Sequence, residues 1–176
     1  GHRDMEILTY ILSGALRHRD SMGNGEDIVR GEVQLMRAGT GVQHSEFNPS
    51  DGEAVHLLQI WIMPDTKGQT PSYEQKSTKI AELKNQIRAI ASSNPNGSDI
   101  VTLNTDGAIY LSNPDAGQEL RFDNPRKRRL FLYVTEGALE VNGKTLEKND
   151  QGRIEGEDAL SIKARQDSRF IIVEVA

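Results

Sequence analysis

The sequence predicts an all-β chain built from two related units, and three observations carry that expectation. Short apolar clusters separated by Gly, Asn and Asp turns recur along most of its 176 residues, the rhythm of a sandwich or barrel. A heptapeptide in the first half, Tyr10-Ile-Leu-Ser-Gly-Ala-Leu16, returns as Tyr133-Val-Thr-Glu-Gly-Ala-Leu139, with four identities at an offset of 123 residues. Asn142-Gly143, set between Leu139-Glu-Val and Lys-Thr-Leu146, is a two-residue hairpin signal because both residues accept positive φ.

The elements follow in order. Ile7 to Leu12 reads as a strand closed by Ser13-Gly14, and Met22-Gly-Asn-Gly25 as a turn. Val33 to Met36 is a strand ended by Gly39-Thr-Gly41. Val55 to Met63 has the composition of a buried strand, stopped by Pro64. From Ser77 to Ala91, Ile80, Leu83, Ile87 and Ile90 fall at steps of 3, 4 and 3, which predicts a short amphipathic helix capped by Ser77. Its second half, Ile87-Arg-Ala-Ile-Ala, also alternates like a strand. Ser92 to Ser98 is a polar boundary, after which strands are expected at Ile100 to Leu103, Ala108 to Leu111, Leu130 to Val134, Leu139 to Val141, Leu160 to Ile162 and Phe170 to Val175. The expected division is a first domain over 1–75, a linker with the short helix over 76–98, and a second domain over 99–176.

Composition excludes several classes of function. Twenty-one basic and 26 acidic residues give a net charge of −5, against a general affinity for nucleic acid or anionic membranes. No apolar run approaches the ~18 residues of a membrane span, and the first residues show no basic-then-apolar signal pattern, so a cytoplasmic location is the default expectation. Without cysteine there are no disulfides, thiolate metal sites or cysteine nucleophiles. Any metal must therefore sit on imidazole and carboxylate. All four histidines, His2, His18, His44 and His56, lie in the first third.

His44-Ser-Glu46 follows a strand and a glycine turn. Residues two apart on an extended segment share a face, so His44 and Glu46 can present an imidazole and a carboxylate to one point, and His2 can add a second imidazole from a neighbouring strand. Two imidazoles and one carboxylate suit a non-haem ferrous site with open positions, although ligand type alone leaves Mn, Ni, Cu or Zn open. His-x-Glu by itself is a common pattern.

Several ordered motifs add to this. His2-Arg-Asp-Met-Glu-Ile-Leu-Thr-Tyr, His18-Arg-Asp-Ser-Met-Gly-Asn, Ala38-Gly-Thr-Gly-Val-Gln-His44-Ser-Glu46, Gln59-Ile-Trp-Ile-Met-Pro64 and Pro71-Ser-Tyr-Glu-Gln75 resemble the pirin family, above all its bacterial quercetinase-like members, over about residues 2–75. The resemblance implies a bicupin, two cupin-type β-barrels, with one metal held in the first barrel by a His-x-His pair and a His-x-Glu pair. His2 would be the second His of the first pair; the family reads His-Pro-His where this sequence opens Gly1-His2, so its first His is not in this chain. A full-length form is expected to bind metal more tightly.

The implied cofactor is one divalent ion, Fe(II) first, with Mn, Ni, Cu, Zn or Co as the alternatives, and the implied substrates are a flavonol and dioxygen. Glu46 would serve as ligand and as catalytic base. The other implied class is a redox-responsive module that binds a protein partner, and an inactive relative is the third reading. Glu6 is expected behind the ligands rather than among them, and His56 packed or beside the site. His18, flanked by charge, reads as a surface strand residue, Trp61 and Met63 as core or pocket wall, and Pro125-Arg-Lys-Arg-Arg129 as a solvated loop. The C-terminal half has no histidine, so it cannot repeat this metal chemistry.

Overall fold

A computed structural model describes all residues, 1–176, and is almost entirely β. The strands are β1 Glu6–Ser13, β2 Ala15–Asp20, β3 Asp27–Val29, β4 Glu32–Arg37, β5 His44–Phe47, β6 His56–Ile62, β7 Ser72–Ser77, β8 Ile87–Ser92 and β9 Val101–Thr102. They continue as β10 Gly107–Ser112, β11 Glu119–Asp123, β12 Arg129–Glu136, β13 Ala138–Val141, β14 Lys144–Glu147, β15 Gln151–Ile154, β16 Ala159–Ala164 and β17 Arg169–Val175. No helix is long and apolar enough to cross a membrane.

The chain forms two compact units, one of residues 1–78 and 93–105, the other of residues 79–92 and 106–176. The first holds a sheet of order β6-β1-β4-β7 and a smaller one of order β3-β2-β5. The second holds β15-β12-β17-β10-β8 and β11-β16-β13-β14.

The expected linker over 76–98 is therefore corrected. Its predicted helix is a single 3-10 turn, Ile80–Leu83. The turn cannot continue because Asn85 turns left-handed at φ 56° and the backbone of Leu83 and Asn85 bonds to Asn113. Ile87 to Ser92 then pairs antiparallel with β10. Period-2 alternation wins over helical spacing here because a sheet edge is available to satisfy every peptide group.

The repeated heptapeptide marks the same corner twice. In each unit a long strand, β1 or β12, ends at a glycine in the left-handed region, Gly14 at φ 73° and Gly137 at φ 77°, and the next strand leaves from it. Any Cβ there would strike backbone, Ala54 O at 2.6 Å from Gly14 and Asp167 O at 2.4 Å from Gly137. Asn142-Gly143 closes the β13–β14 hairpin with both φ positive, at 46° and 78°.

The two units differ inside. The second encloses a continuous apolar core that includes Leu132, Leu139, Leu160, Ile162, Phe170 and Ile172. The first has the small apolar clusters Ile7–Met36–Val42 and Ile11–Leu16–Ile28 and also buries Leu8, Val33 and Leu35, and unlike the second core it takes in Thr9, His18 and Gln34, buried almost completely. Burying polar side chains costs stability unless partners meet them, so an interior of this kind marks the place to look for chemistry.

Candidate metal centre

The site rests on one antiparallel ribbon. β2 and β5 pair in a register that sets His18 opposite Glu46 and Asp20 opposite His44. Cross-strand partners share a face, as do residues two apart, so all four side chains project to the same side. The intervening Arg17 and Arg19 point the other way, where both guanidinium groups lie 5.9 Å from the Phe47 ring.

The sheet of β6-β1-β4-β7 supplies the opposing wall. Its registers align Gln59, Thr9, Gln34 and Gln75 in one row across four strands. Gln59 Nε2 donates to Glu46 Oε2 at 3.0 Å, and Gln34 Nε2 lies 3.2 Å from His18 Nδ1. Trp61 Nε1 donates to Gln59 Oε1 at 2.9 Å, which fixes the amide. The Tyr73 ring covers His18 at 5.2 Å.

Three side chains bring ligating atoms within 4.8 Å of one another: His18, His44 and Glu46. Glu46 Oε1 is 3.7 Å from His44 Nδ1 and 3.7 Å from His18 Nδ1. His44 Nδ1 and Glu46 Oε1 are both buried without a hydrogen-bond partner. Two buried lone-pair donors left open toward each other are what a divalent cation between them would satisfy, so the donor set fits a metal. His2 flanks the group. Its backbone bridges to Val42, two residues before His44, and its ring lies 4.8 Å from that of His44 and 4.8 Å from that of Trp61.

Electrostatics separate the histidines. Burial lowers the pKa of His44 and, with the neighbouring His2 and His18, outweighs the attraction of Glu46, so His44 stays neutral further into acid than an ordinary imidazole. Burial also opposes the charge on His18, yet the facing carboxylates of Glu46 and Asp20 prevail and its pKa is raised. Burial pushes Glu46 up, but the facing His18 imidazole, the hydrogen bond from Gln59 and the neighbouring His44 hold it below the usual range. Asp20 likewise resists burial through Asn24, His18 and the Met22 amide and remains a carboxylate.

These shifts set the pH dependence of the metal-free fold. Glu46 and Asp20, held low, contribute stability that is present above ordinary carboxylate values of about 4 and lost as pH falls through their folded values. His44, also held low, adds a loss as pH falls below about 6.5, and His18, held high, loses its contribution as pH rises above about 6.5. The thermal midpoint of the metal-free chain is thus expected to peak near pH 6.5. Calorimetry across pH checks this, and a His18→Asn variant should flatten the alkaline side and also weaken the acid side, because His18 helps to hold Glu46 and Asp20 low.

The sequence expectations divide on this geometry. His44 and Glu46 come together as the His-x-Glu spacing required, with His2 beside them. The surface reading of His18 is wrong: it is fully buried, with Nε2 3.0 Å from Asp20 Oδ2. Charged neighbours at 17 and 19 were the signal that 18 points inward, as alternation demands. Glu6 is buried but committed elsewhere, accepting from the Asn104 amide and Thr105 hydroxyl and pairing with Arg37 at 3.3 Å. His56 is exposed at the start of β6 and on the opposite face of that strand from Gln59 and Trp61, so it does not reach the site. Trp61 and Met63 are half exposed rather than core, although Trp61 does wall the site. In the basic run, Lys127 pairs with Asp158 and Arg128 with Asp106 and Glu174.

With this geometry in place, comparison with known proteins is decisive. The Pirin family model matches residues 1–62, and a model described as the quercetinase C-terminal cupin domain matches residues 89–175. A quercetin 2,3-dioxygenase of Escherichia coli K12 is 38% identical over 175 residues, spanning 99% of this chain and 74% of that protein. The chain belongs to the pirin family. A pirin-like protein of Caulobacter vibrioides is 33% identical, over 99% of the chain and 75% of its own length. Among solved structures, YhhW from Escherichia coli superposes with a TM-score of 0.94 at 36% identity, covering 99% of this chain and 73% of that one. The same bacterial pirin in complex with nickel(II) gives 0.91. The bicupin fold expected from the motifs is thus the fold of this pirin.

Proposed function

We propose that this pirin is a metal-dependent flavonol 2,3-dioxygenase, with the buried and unpartnered pair His44 Nδ1 and Glu46 Oε1 as the observation that carries the reading. The relatives named as quercetin 2,3-dioxygenases support it. His44 and Glu46 would hold the ion, Fe(II) first, with His2 as the second imidazole. Nε2 of His18 is engaged by Asp20, and Nδ1 lies 3.2 Å from Gln34 Nε2 and 3.7 Å from Glu46 Oε1. The role of His18 is to position Glu46.

When bound, the ion supplies Lewis acidity that lowers the pKa of a flavonol hydroxyl at the open positions. Glu46 Oε2 is held by Gln59, so Oε1 either ligates or accepts that proton. Its depressed pKa makes it a weak base, matched to a hydroxyl that has itself been acidified. Trp61, edge-on to His2 and half exposed, offers an apolar surface for a flat aromatic body.

Anaerobic loading with ferrous ion, then quercetin and air, is expected to bleach the flavonol absorbance and release carbon monoxide. Absence of both, together with partner binding that changes with the oxidation state of the metal, overturns this reading in favour of the interaction module.

A further inference from the structure

The second unit carries a cleft of its own, far from any histidine in sequence and with no part in the chemistry above. β14 is the last strand of one sheet and β15 the last of the other, so the two are joined by residues 148–150 but do not pair. The seam between them opens a cleft of about 470 Å³. This is the size of a small-molecule pocket. Its floor is apolar: Val141 and Leu160 are buried, and Leu146 and Ile154 pack against the same core.

The polar lining has a definite arrangement. Lys144 stands opposite Val141 in the hairpin register and two residues from Leu146, so it shares their inward side. No acidic side chain pairs with Lys144 or with Arg153 at the rim. Glu157, also lining the cleft, is taken by Asn142 Nδ2 at 3.3 Å, and Glu155 is exposed at the mouth. Gly152 lies on the side of β15 facing the cleft. A Cβ there would meet only Leu146 Cδ1 at 3.5 Å and Ile154 Cδ1 at 3.6 Å, ordinary contacts, so the missing side chain leaves room rather than relieving strain.

We infer that this cleft binds a small aromatic monocarboxylate, its ring on Leu146, Ile154 and the bare backbone of Gly152, its carboxylate at Lys144 and Arg153. The lining is neutral as a whole, Lys144 and Arg153 against Glu155 and Glu157, so the selection of an amphiphilic anion rests on Lys144 and Arg153 standing beside the apolar floor without an ion-pair partner. The inference needs neither the metal nor the dioxygenase reaction and stands if that reading fails.

The test is a titration of the isotope-labelled, metal-free full chain with cinnamate and, separately, with its neutral amide. Cinnamate is expected to shift the methyl resonances of Leu146 and Ile154 and the amide of Gly152 in a saturable way. The neutral amide and the Lys144→Glu variant should each bind about two- to fivefold more weakly, the scale of a part-exposed charge contact. Gly152→Leu, which fills the cleft, should remove the shifts while keeping the cooperative thermal transition. Should that variant not fold, Lys144→Glu still decides. Shifts confined to the His2 and Trp61 region, equal affinity for acid and amide, undiminished binding by Lys144→Glu, or no saturable shift at millimolar ligand would each overturn the inference.

Discussion

Replacing His44 by alanine is expected to cut divalent-metal affinity by about a hundredfold or more, since even the loss of an outer partner of a ligand costs 10- to 100-fold. Titration calorimetry with ferrous or nickel ion under anaerobic conditions measures it, and Glu46→Gln should be comparably damaging. His2→Ala should fall in the same class, whereas His18→Asn, which removes a group that positions Glu46, should cost about tenfold. The ordering is the informative part. If His18→Asn proves as harmful as His44→Ala while His2→Ala is silent, the second imidazole is His18, the nitrogen already within 3.7 Å of Glu46 Oε1.

Gly137→Ala should be among the most destabilising single-methyl additions available to this chain. The left-handed conformation costs an L-residue about 1–2 kcal/mol, and the new Cβ would in addition face Asp167 O and Ser168 Oγ, both at 2.4 Å. A loss of about 3 kcal/mol or more is expected, lowering the thermal midpoint by roughly 10 °C or more. Gly143→Ala is the control. Gly143 has the same kind of backbone, φ 78°, but nothing stands within 4 Å of its Cβ position. It should lose only the conformational part, about 1 kcal/mol. Equal losses at the two positions would mean that the corner can relax and that the repeated Gly-Ala-Leu is not sterically required.

What the sequence disclosed follows from how local each signal is. Turns that need positive φ and strands with alternating side chains are written in neighbouring residues, so the Asn142-Gly143 hairpin and the two Gly corners were legible. His44 and Glu46 were found because their relation is a spacing of two on one strand. The opposing wall of Gln59, Thr9 and Gln34 was missed because it is a relation between strands, set by register. The only local trace was a lone amide in each of two apolar runs, Val33-Gln-Leu-Met and Leu57-Leu-Gln-Ile, a polar group that must find a partner if its strand is buried. His18 was misread by weighing its charged neighbours as an environment instead of as the other face. The helix over 77–91 failed for a related reason: four apolar residues at helical spacing also served a turn followed by a strand, and only the availability of β10 as partner decided between them.

The interleaving of the two units along the chain bears on how the protein can be made. Residues 79–92 belong to the second unit and 93–105 to the first, so the first is not complete until residue 105 has been synthesised. During vectorial synthesis β8 leaves the ribosome before any strand of its own sheet exists, and it waits for β10 to emerge. No single cut in the chain separates two whole units. Loss of the segment between 79 and 105 would strip a strand from each, so damage there reaches both units at once.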